Sequence, residues 1–335
     1  MVKTIASDLH RIEVRLIGSP LKTLNCYVFQ SAQRNLLVDT GFNQPTCLDD
    51  LREGISELNL DMGRTDLFVT HFHSDHCGLV SQVVSPESRV YMSSTDAVFF
   101  MRPSEERQAY WAMLEKVYLR EGYPPDELRM SVQQNPARNL GDSGKVDVTC
   151  VRDGDIIHVG DRSFECILTP GHTPGHMCLF EKDTHTMVLG DSVLFDITPN
   201  ITSWDSLPNS LAHYFSSLDR LRTFEVELAL PAHRDNKGKT LSERIDELKA
   251  HHHERLAEVS CILSEQPGLT CYEVAQRMTW SIRAKNWQEF PAQQKWFAIG
   301  EAMAHLDYLV QDHQIICRQQ HGVRYYESAG MASVR

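Results

Sequence analysis

The nine cysteines of this 335-residue chain include no CxxC pair, and their number is odd. Such spacing indicates neither a thiolate zinc site nor a disulfide framework, and it fits a reducing cytoplasm. Positive charge is in short supply as well: 33 Lys and Arg stand against 45 Asp and Glu, a net charge of -12. That balance excludes a broad phosphate-backbone footprint, so any nucleic-acid contact must be local. Long apolar runs are missing too. Met1 to Gly18 (MVKTIASDLHRIEVRLIG) interleaves charged and apolar residues without the continuous stretch that export or membrane insertion requires. The expectation is a soluble, unprocessed cytoplasmic protein with no membrane partner. There is no internal repeat and no low-complexity tract. Against these absences, 41% of the residues are apolar, enough at this length for one large domain and a small one.

The first third reads as strands and helices in alternation. Ile12, Val14 and Leu16 alternate with polar residues, and Cys26 to Phe29 and Leu36 to Val38 are short β-branched or aromatic blocks, a strand meander. Gln44 to Leu58 has a helical pattern, and the apolar run Asp66 to Thr70 reads as a buried strand leading into His71. A similar mixture of short strands and helices is expected between Val146 and Pro231, giving an α/β or α+β sandwich. From Ser94 to Leu140 the pattern is helical, with Tyr110, Met113, Leu114 and Val117 forming an inward stripe. A polar turn, Arg234 to Lys239, precedes a long helix from about Ser242 to Leu263, whose His251-His252-His253 run is expected on a surface face. Beyond it, a short helix at CYEVAQRM, a helix over Lys295 to Gln311 and two strands around His321-Gly322 suggest a compact winged-helix unit.

The chemistry concentrates in Thr70-His71-Phe72-His73-Ser74-Asp75-His76, three imidazoles and a carboxylate within six positions after a buried strand. In extended backbone His71 and His73 project to the same side and suit one ion, while Asp75 and His76 lie beyond the strand end and can turn to a second. A solvated loop leaves that density of histidine unexplained. Three further apolar strands end in a candidate ligand: Cys166 to Leu168 before Thr169-Pro170-Gly171-His172, Val188-Leu189-Gly190 before Asp191, and Leu228 to Pro231 before His233. Imidazole nitrogen and carboxylate oxygen suit Zn, Fe(II) or Mn, and no cysteine joins the set. Cys77, which follows the cluster, reads as a small packed residue.

HFHSDH, PGHTPGH, LGD and PAH, in that order, resemble the signature of the metallo-β-lactamase superfamily, and Leu37-Val38-Asp39-Thr40-Gly41 resembles its upstream VDTG element. The likeness spans about residues 10 to 235. It implies an αββα sandwich, an α+β fold, in which His71, His73 and His172 bind one metal, Asp75, His76 and His233 bind another, and Asp191 bridges them. It also implies that Asp39 steadies the histidine loop and that His176 is not a ligand. The tail from near Thr240, the insert YWAMLEKVY and the string DITPNI at Asp196 to Ile201 resemble a subgroup with a C-terminal winged helix. The implied domains are 1–239, with a helical insert at about 94–140, and 240–335.

The resemblance implies a binuclear hydrolase. Two divalent ions about 3.5 to 4 Å apart acidify a water between them and polarise the scissile bond, so no Ser or Cys nucleophile is required. Asp191 joins the catalytic set as the bridge, and Asp75 as a group able to return a proton to the leaving group. The substrate is expected to be a small ester, thioester, lactone or similar molecule, which the ligands alone do not specify. Candidate substrate contacts are Tyr110 and Trp111 on the helical insert and the basic set Arg234, Lys237 and Lys239. Two alternatives remain: a mononuclear iron enzyme like the persulfide dioxygenases of this fold, and a phosphodiesterase, ribonuclease or DNA-binding regulator that uses the winged helix. The second is disfavoured because residues 240–335 carry ten Lys and Arg against twelve Asp and Glu. A small molecule is the expected partner, nucleic acid is not, and a homo-oligomer is left open.

Overall fold

The computed structural model describes residues 1–142, 145–281 and 284–330. The chain forms two compact units. The first comprises Met1–Arg102, Asn139–Pro199 and Ser216–Ile245; the second comprises Pro103–Arg138, Asn200–Phe215 and Asp246–Arg335.

The first unit is built on two sheets. One has seven strands in sequential order: β1 (Val2–Ala6), β2 (Leu9–Arg15), β3 (Thr23–Phe29), β4 (Asn35–Val38), β5 (Thr65–Phe68), β6 (Val90–Ser93) and β7 (Val148–Val151). Strands β1 to β4 pair antiparallel, β2 to β4 as the expected meander and β1 as an edge strand that the apolar pattern did not announce, and β4 to β7 pair parallel. The second sheet takes the order β12-β11-β10-β9-β8 from β8 (Ile156–Val159), β9 (Arg162–Leu168), β10 (Met177–Glu181), β11 (Thr186–Gly190) and β12 (Leu228–Pro231). Between Val146 and Pro231 strands and helix are mixed as expected, but unevenly: β7 to β11 follow one another without a helix, and the helix Ser210–Leu221 stands alone before β12. Short alternating segments joined by tight turns, such as Gly160 with φ 64°, make hairpins instead of crossovers.

Two apolar cores explain the layering. Tyr27, Phe29, Val38 and Phe68 from the first sheet mix with Phe164, Cys166, Leu179 and Val188 from the second, so the sheets pack face to face. On the opposite face of the first sheet, Ile12, Val14, Cys26, Val28 and Leu67 meet Cys47 and Leu51 of the helix Pro45–Glu57 and Leu79, Val80 and Val83. Alternate residues of each strand thus enter different cores, which is what a period-2 apolar pattern requires when both faces are covered. All nine cysteines are free thiols.

In the second unit the helix Ser104–Arg120 differs from expectation: Tyr110, Met113, Leu114 and Val117 are only half-buried, and Tyr118 is its one fully covered residue. The Tyr118 ring stacks on Trp296 at 3.8 Å, so the deep contact falls one position beyond the expected stripe. The helix Leu241–Glu265 holds a second correction. His252 is fully buried, not on a surface face, with Nδ1 3.2 Å from His305 Nε2. Thr270 and Glu273 form a reciprocal capping box that starts the helix Cys271–Arg277. After the helix Ala292–Gln311 come β13 (Ile315–Gln320) and β14 (Val323–Ser328), a hairpin turned by His321 (φ 50°) and Gly322 (φ 83°). Tyr326 also forms a single antiparallel bridge with Leu269. No helix among the described residues is long and apolar enough to cross a membrane.

Candidate metal centre

Every candidate ligand of the first unit leaves the end of a strand. Parallel pairing puts Val38 of β4 opposite Phe68 of β5, so Asp39 and the Val69-Thr70-His71 segment emerge side by side. The loop from Thr169 to His176 is closed by the Thr169 amide donating to the His176 carbonyl, and the next amide, Met177, donates to the Thr70 carbonyl of the opposite sheet at 2.9 Å. β11 and β12 are parallel, with Gly190 opposite Pro231, which sets Asp191 beside His233. Asn25 of β3 binds the β12 end, donating from its side-chain amide to the carbonyls of Pro231 and Arg234. The two sheets are therefore tied together where the ligands emerge.

His71 and His73 precede a helical turn, Ser74–Cys77, whose N-cap is His73; that turn carries Asp75 and His76 away from the extended segment as expected. His73 Nδ1 lies 3.1 Å from His71 Nε2 and 2.9 Å from His172 Nε2, forming one triad. Asp75, His76 and His233 form another: Asp75 Oδ2 is 3.8 Å from His76 Nε2 and 3.5 Å from His233 Nε2. Asp191 faces both. Its Oδ2 is 3.5 Å from His172 Nε2, while its Oδ1 is 3.6 Å from His76 Nε2 and 3.4 Å from His233 Nε2. Three overlapping groups thus have the spacing for cation ligands: His71-His73-His172, His71-His76-Asp191 and Asp75-His76-His233.

Hydrogen bonds behind the imidazoles set their tautomers. His76 Nδ1 donates to Asp39 Oδ2 at 2.8 Å, His71 Nδ1 to Thr70 Oγ1 at 3.0 Å, and His233 Nδ1 to the Thr23 carbonyl at 2.7 Å. Each leaves a bare Nε2 lone pair facing the cluster. His76 Nε2, His233 Nε2 and Asp191 Oδ1 are buried without a hydrogen-bond partner. Such orphaned acceptors are costly unless something electropositive meets them. The donor set accordingly fits divalent cations.

Charge accounting agrees. Burial, reinforced by the imidazoles of His76, His73 and His172, holds His71 well below its ordinary value; burial and His172 push His73 down to about 3. Burial opposes charge at His76 and His233 too, but the carboxylates of Asp39, Asp191 and Asp75 outweigh it at His76 and those of Asp191 and Asp75 at His233, so both are raised. Burial would lift Asp75, yet His76 and His233 hold it at about 2, and Asp191 is held well below its usual range against the same burial by His233 and His76. The second triad is therefore the electronegative one, where a proton and a cation compete.

Asp39 steadies the loop through contacts that sequence pattern alone does not specify. It adopts φ 61° and accepts from the Thr70 amide at 2.8 Å and Thr70 Oγ1 at 2.9 Å besides His76. His176 stays outside the ligand set: its Nε2 accepts the Asp191 amide at 3.0 Å and its Nδ1 donates to Thr169 Oγ1. Gly190, at φ 51°, admits that contact, since a Cβ there would lie 2.5 Å from His176 Nε2. Cys77 is buried, donates to the Phe72 carbonyl and has its thiol pushed up by that burial, the surroundings of a small packed residue.

The substrate candidates are placed as follows. Lys237 Nζ lies 3.2 Å and Arg234 Nη1 3.8 Å from the Asp196 carboxylate, so that acid occupies the basic set. Tyr110 and Trp111 are half-buried in the second unit, where the Trp111 ring leans on Trp296 at 5.9 Å. One buried residue escaped sequence reasoning altogether. Asp96 accepts from Thr173 Oγ1 at 2.7 Å, from the Gly175 amide at 2.6 Å and from the Phe72 amide at 3.2 Å, and burial raises its carboxyl to about 7. The only signal was Ser93-x-x-Asp96, which reads as an ordinary helix start, and Ser93 does cap the helix Ser94–Phe100.

A two-sheet sandwich with a His and Asp cluster at its strand ends defines a class of metal-binding folds. The chain belongs to the metallo-beta-lactamase superfamily, whose family model matches residues 22–233. Among curated proteins it is similar to the lactamase-like protein aptB of Emericella nidulans, 22% identical over 82% of this chain and 75% of that one. It is also similar to an atrochrysone carboxyl ACP thioesterase of that organism, 22% identical over 66% of this chain and 55% of the relative. Among solved structures, a metallo-beta-lactamase family protein of Thermus thermophilus superposes with a TM-score of 0.79 at 25% identity, covering 97% of this chain and all of that one. A beta-lactamase domain protein of Burkholderia ambifaria gives 0.78 at 24% identity over 98% and 94% of the two chains.

Proposed function

We propose that the protein is a binuclear metal-dependent hydrolase of small esters or thioesters. The observation that carries this reading is the split of one carboxylate: Asp191 Oδ2 faces His172 of one triad and Oδ1 faces His76 and His233 of the other. A bound pair of divalent cations, for which zinc, iron(II) and manganese all suit these donors, would supply Lewis acidity and an acidified water at neutral pH. The chain's own residues do the remainder. Burial and mutual repulsion keep His71 and His73 neutral, and with His172 they form the all-imidazole triad. Asp75, lodged beside His233, holds the second ion in this reading and is also the carboxylate from which the attacking water's proton would be relayed to the leaving group.

Thioesters are favoured within this class by relatives named as ACP thioesterases. The C-terminal segment, with a long helix, a short helix, a 20-residue helix and a hairpin whose second strand bridges Leu269, is read as a winged-helix unit. Its charge points to a packing or oligomeric role, with a small molecule as the protein's ligand. The test is turnover of a panel of thioester, ester, lactone and phosphodiester substrates by metal-replete protein. Hydrolysis of a thioester or ester that stops on chelation and returns with zinc is expected; turnover of none of them, or turnover indifferent to chelation, overturns the reading.

A further inference from the structure

Asp96 belongs to none of the ligand groups, yet it is completely buried and satisfied by donors from two different loops. One donor is the amide of Phe72, the residue between His71 and His73. The others, Thr173 Oγ1 and the Gly175 amide, belong to the turn that carries His172. The carboxylate is itself anchored, because the Asp96 amide donates to Ser93 Oγ at 3.1 Å. Gly175 lets the two approach: a Cβ there would lie 2.4 Å from Ser93 Oγ and 2.6 Å from both the Asp96 amide and Asp96 Oδ1.

We infer that Asp96 is a positioning residue that locks the His172 turn to the His71-Phe72-His73 segment, and so governs cation affinity at that triad and not at Asp75-His76-His233. All three imidazoles of the first triad sit on the two segments it joins. None of the three donors it accepts from lies on the Asp75-His76 turn or beside His233. A carboxylate is needed because three donors converge on its two oxygens. In Asp96→Asn, one oxygen becomes an NH2 group, which faces either the Gly175 amide or the Phe72 amide donor to donor. The resulting separation of His172 from His73 Nδ1, now 2.9 Å, would loosen one triad alone.

The inference rests on the binuclear reading, and the experiment separates the two. Zinc binding to the full-length chain is measured by chelator competition, with cobalt spectra as a second readout, for wild type, Asp96→Asn and Thr173→Val. Wild type is expected to hold two ions; Asp96→Asn should keep one with unchanged affinity and hold the other about 10- to 100-fold more weakly. Adding His233→Ala should remove the ion that Asp96→Asn retains, whereas adding His172→Ala should leave it. Thr173→Val, which deletes a single bond, should weaken the same ion by a smaller factor, and it carries the test should Asp96→Asn fail to fold. Two ions of wild-type affinity in either variant, or a parallel loss of both with a fall in Tm, overturns the inference alone. Fewer than two ions in wild type overturns the binuclear reading and this inference with it.

Discussion

The Asp39 carboxylate receives His76 Nδ1 at 2.8 Å, and the same residue holds the Thr70 amide and hydroxyl. One side chain therefore fixes both the tautomer of a ligand and the backbone that leads into His71. Asp39→Ala should lower metal affinity about 10- to 100-fold, with the ion at the His76 triad lost first. Chelator competition measures it; unchanged affinity would leave Asp39 as an ordinary turn residue.

Asp191 and His176 touch through an amide but differ in kind. Asp191→Ala should abolish turnover and release bound metal, since it strips an oxygen from each triad. His176→Ala removes only the acceptor of the Asp191 amide and should retain the metal with turnover lowered by roughly tenfold, about 1.4 kcal/mol. Metal analysis beside steady-state rates compares the two, and equal losses would contradict the ligand assignment.

Gly54 sets two effects against each other. Replacing a helix-interior glycine by alanine ordinarily gains about 1 kcal/mol. Here a Cβ would lie 2.5 Å from Ile12 Cγ2, inside the core between the first sheet and the helix Pro45–Glu57. Overpacking costs about 1 to 3 kcal/mol, so Gly54→Ala should destabilise the protein on balance, and Ile12→Ala, which removes Cγ1, Cγ2 and Cδ1, should cost less beside Gly54→Ala than alone. Urea denaturation of the two single variants and the double variant decides the sign.

The pattern of the sequence exposed the ligands because the chemistry is dense: His71 to His76 sit within one turn and a strand end, and each remaining ligand follows an apolar strand. Period-2 alternation also disclosed the β2 to β4 meander, though not the edge strand β1. Contacts between distant segments were hidden. Asp96 resembles a helix-start residue until Thr173 and Gly175 are brought to it, and His252 looks like part of a polar run until His305, 53 positions on, covers it. Arg234 and Lys237 read as an open basic set because Asp196 is separated from them in sequence but adjacent in space. The strands β7 to β11 were blurred for a related reason: hairpin or crossover is settled by turn geometry, which apolar period does not encode.

The His252 and His305 pair gives the protein an acid sensitivity apart from the metal centre. Burial holds His252 well below its ordinary value and His305 at about 3, against 6.5 in the open chain. As pH falls below about 6.5 the unfolded chain takes up protons that the folded pair refuses, so stability present above that pH is lost between there and about 3. Each refused proton steepens the dependence by up to about 1.4 kcal/mol per pH unit. The urea stability of His305→Asn, followed from pH 7 to 5, should therefore fall less steeply than that of wild type. Parallel slopes would show that the pair does not titrate in this way.

The most direct test of the account is the metal content of protein purified without added metal, read alongside thioester hydrolysis. Two zinc or manganese ions per chain with hydrolytic turnover is the predicted result. A single iron per chain, with oxygen consumed in the presence of a thiol and no hydrolysis, would contradict it.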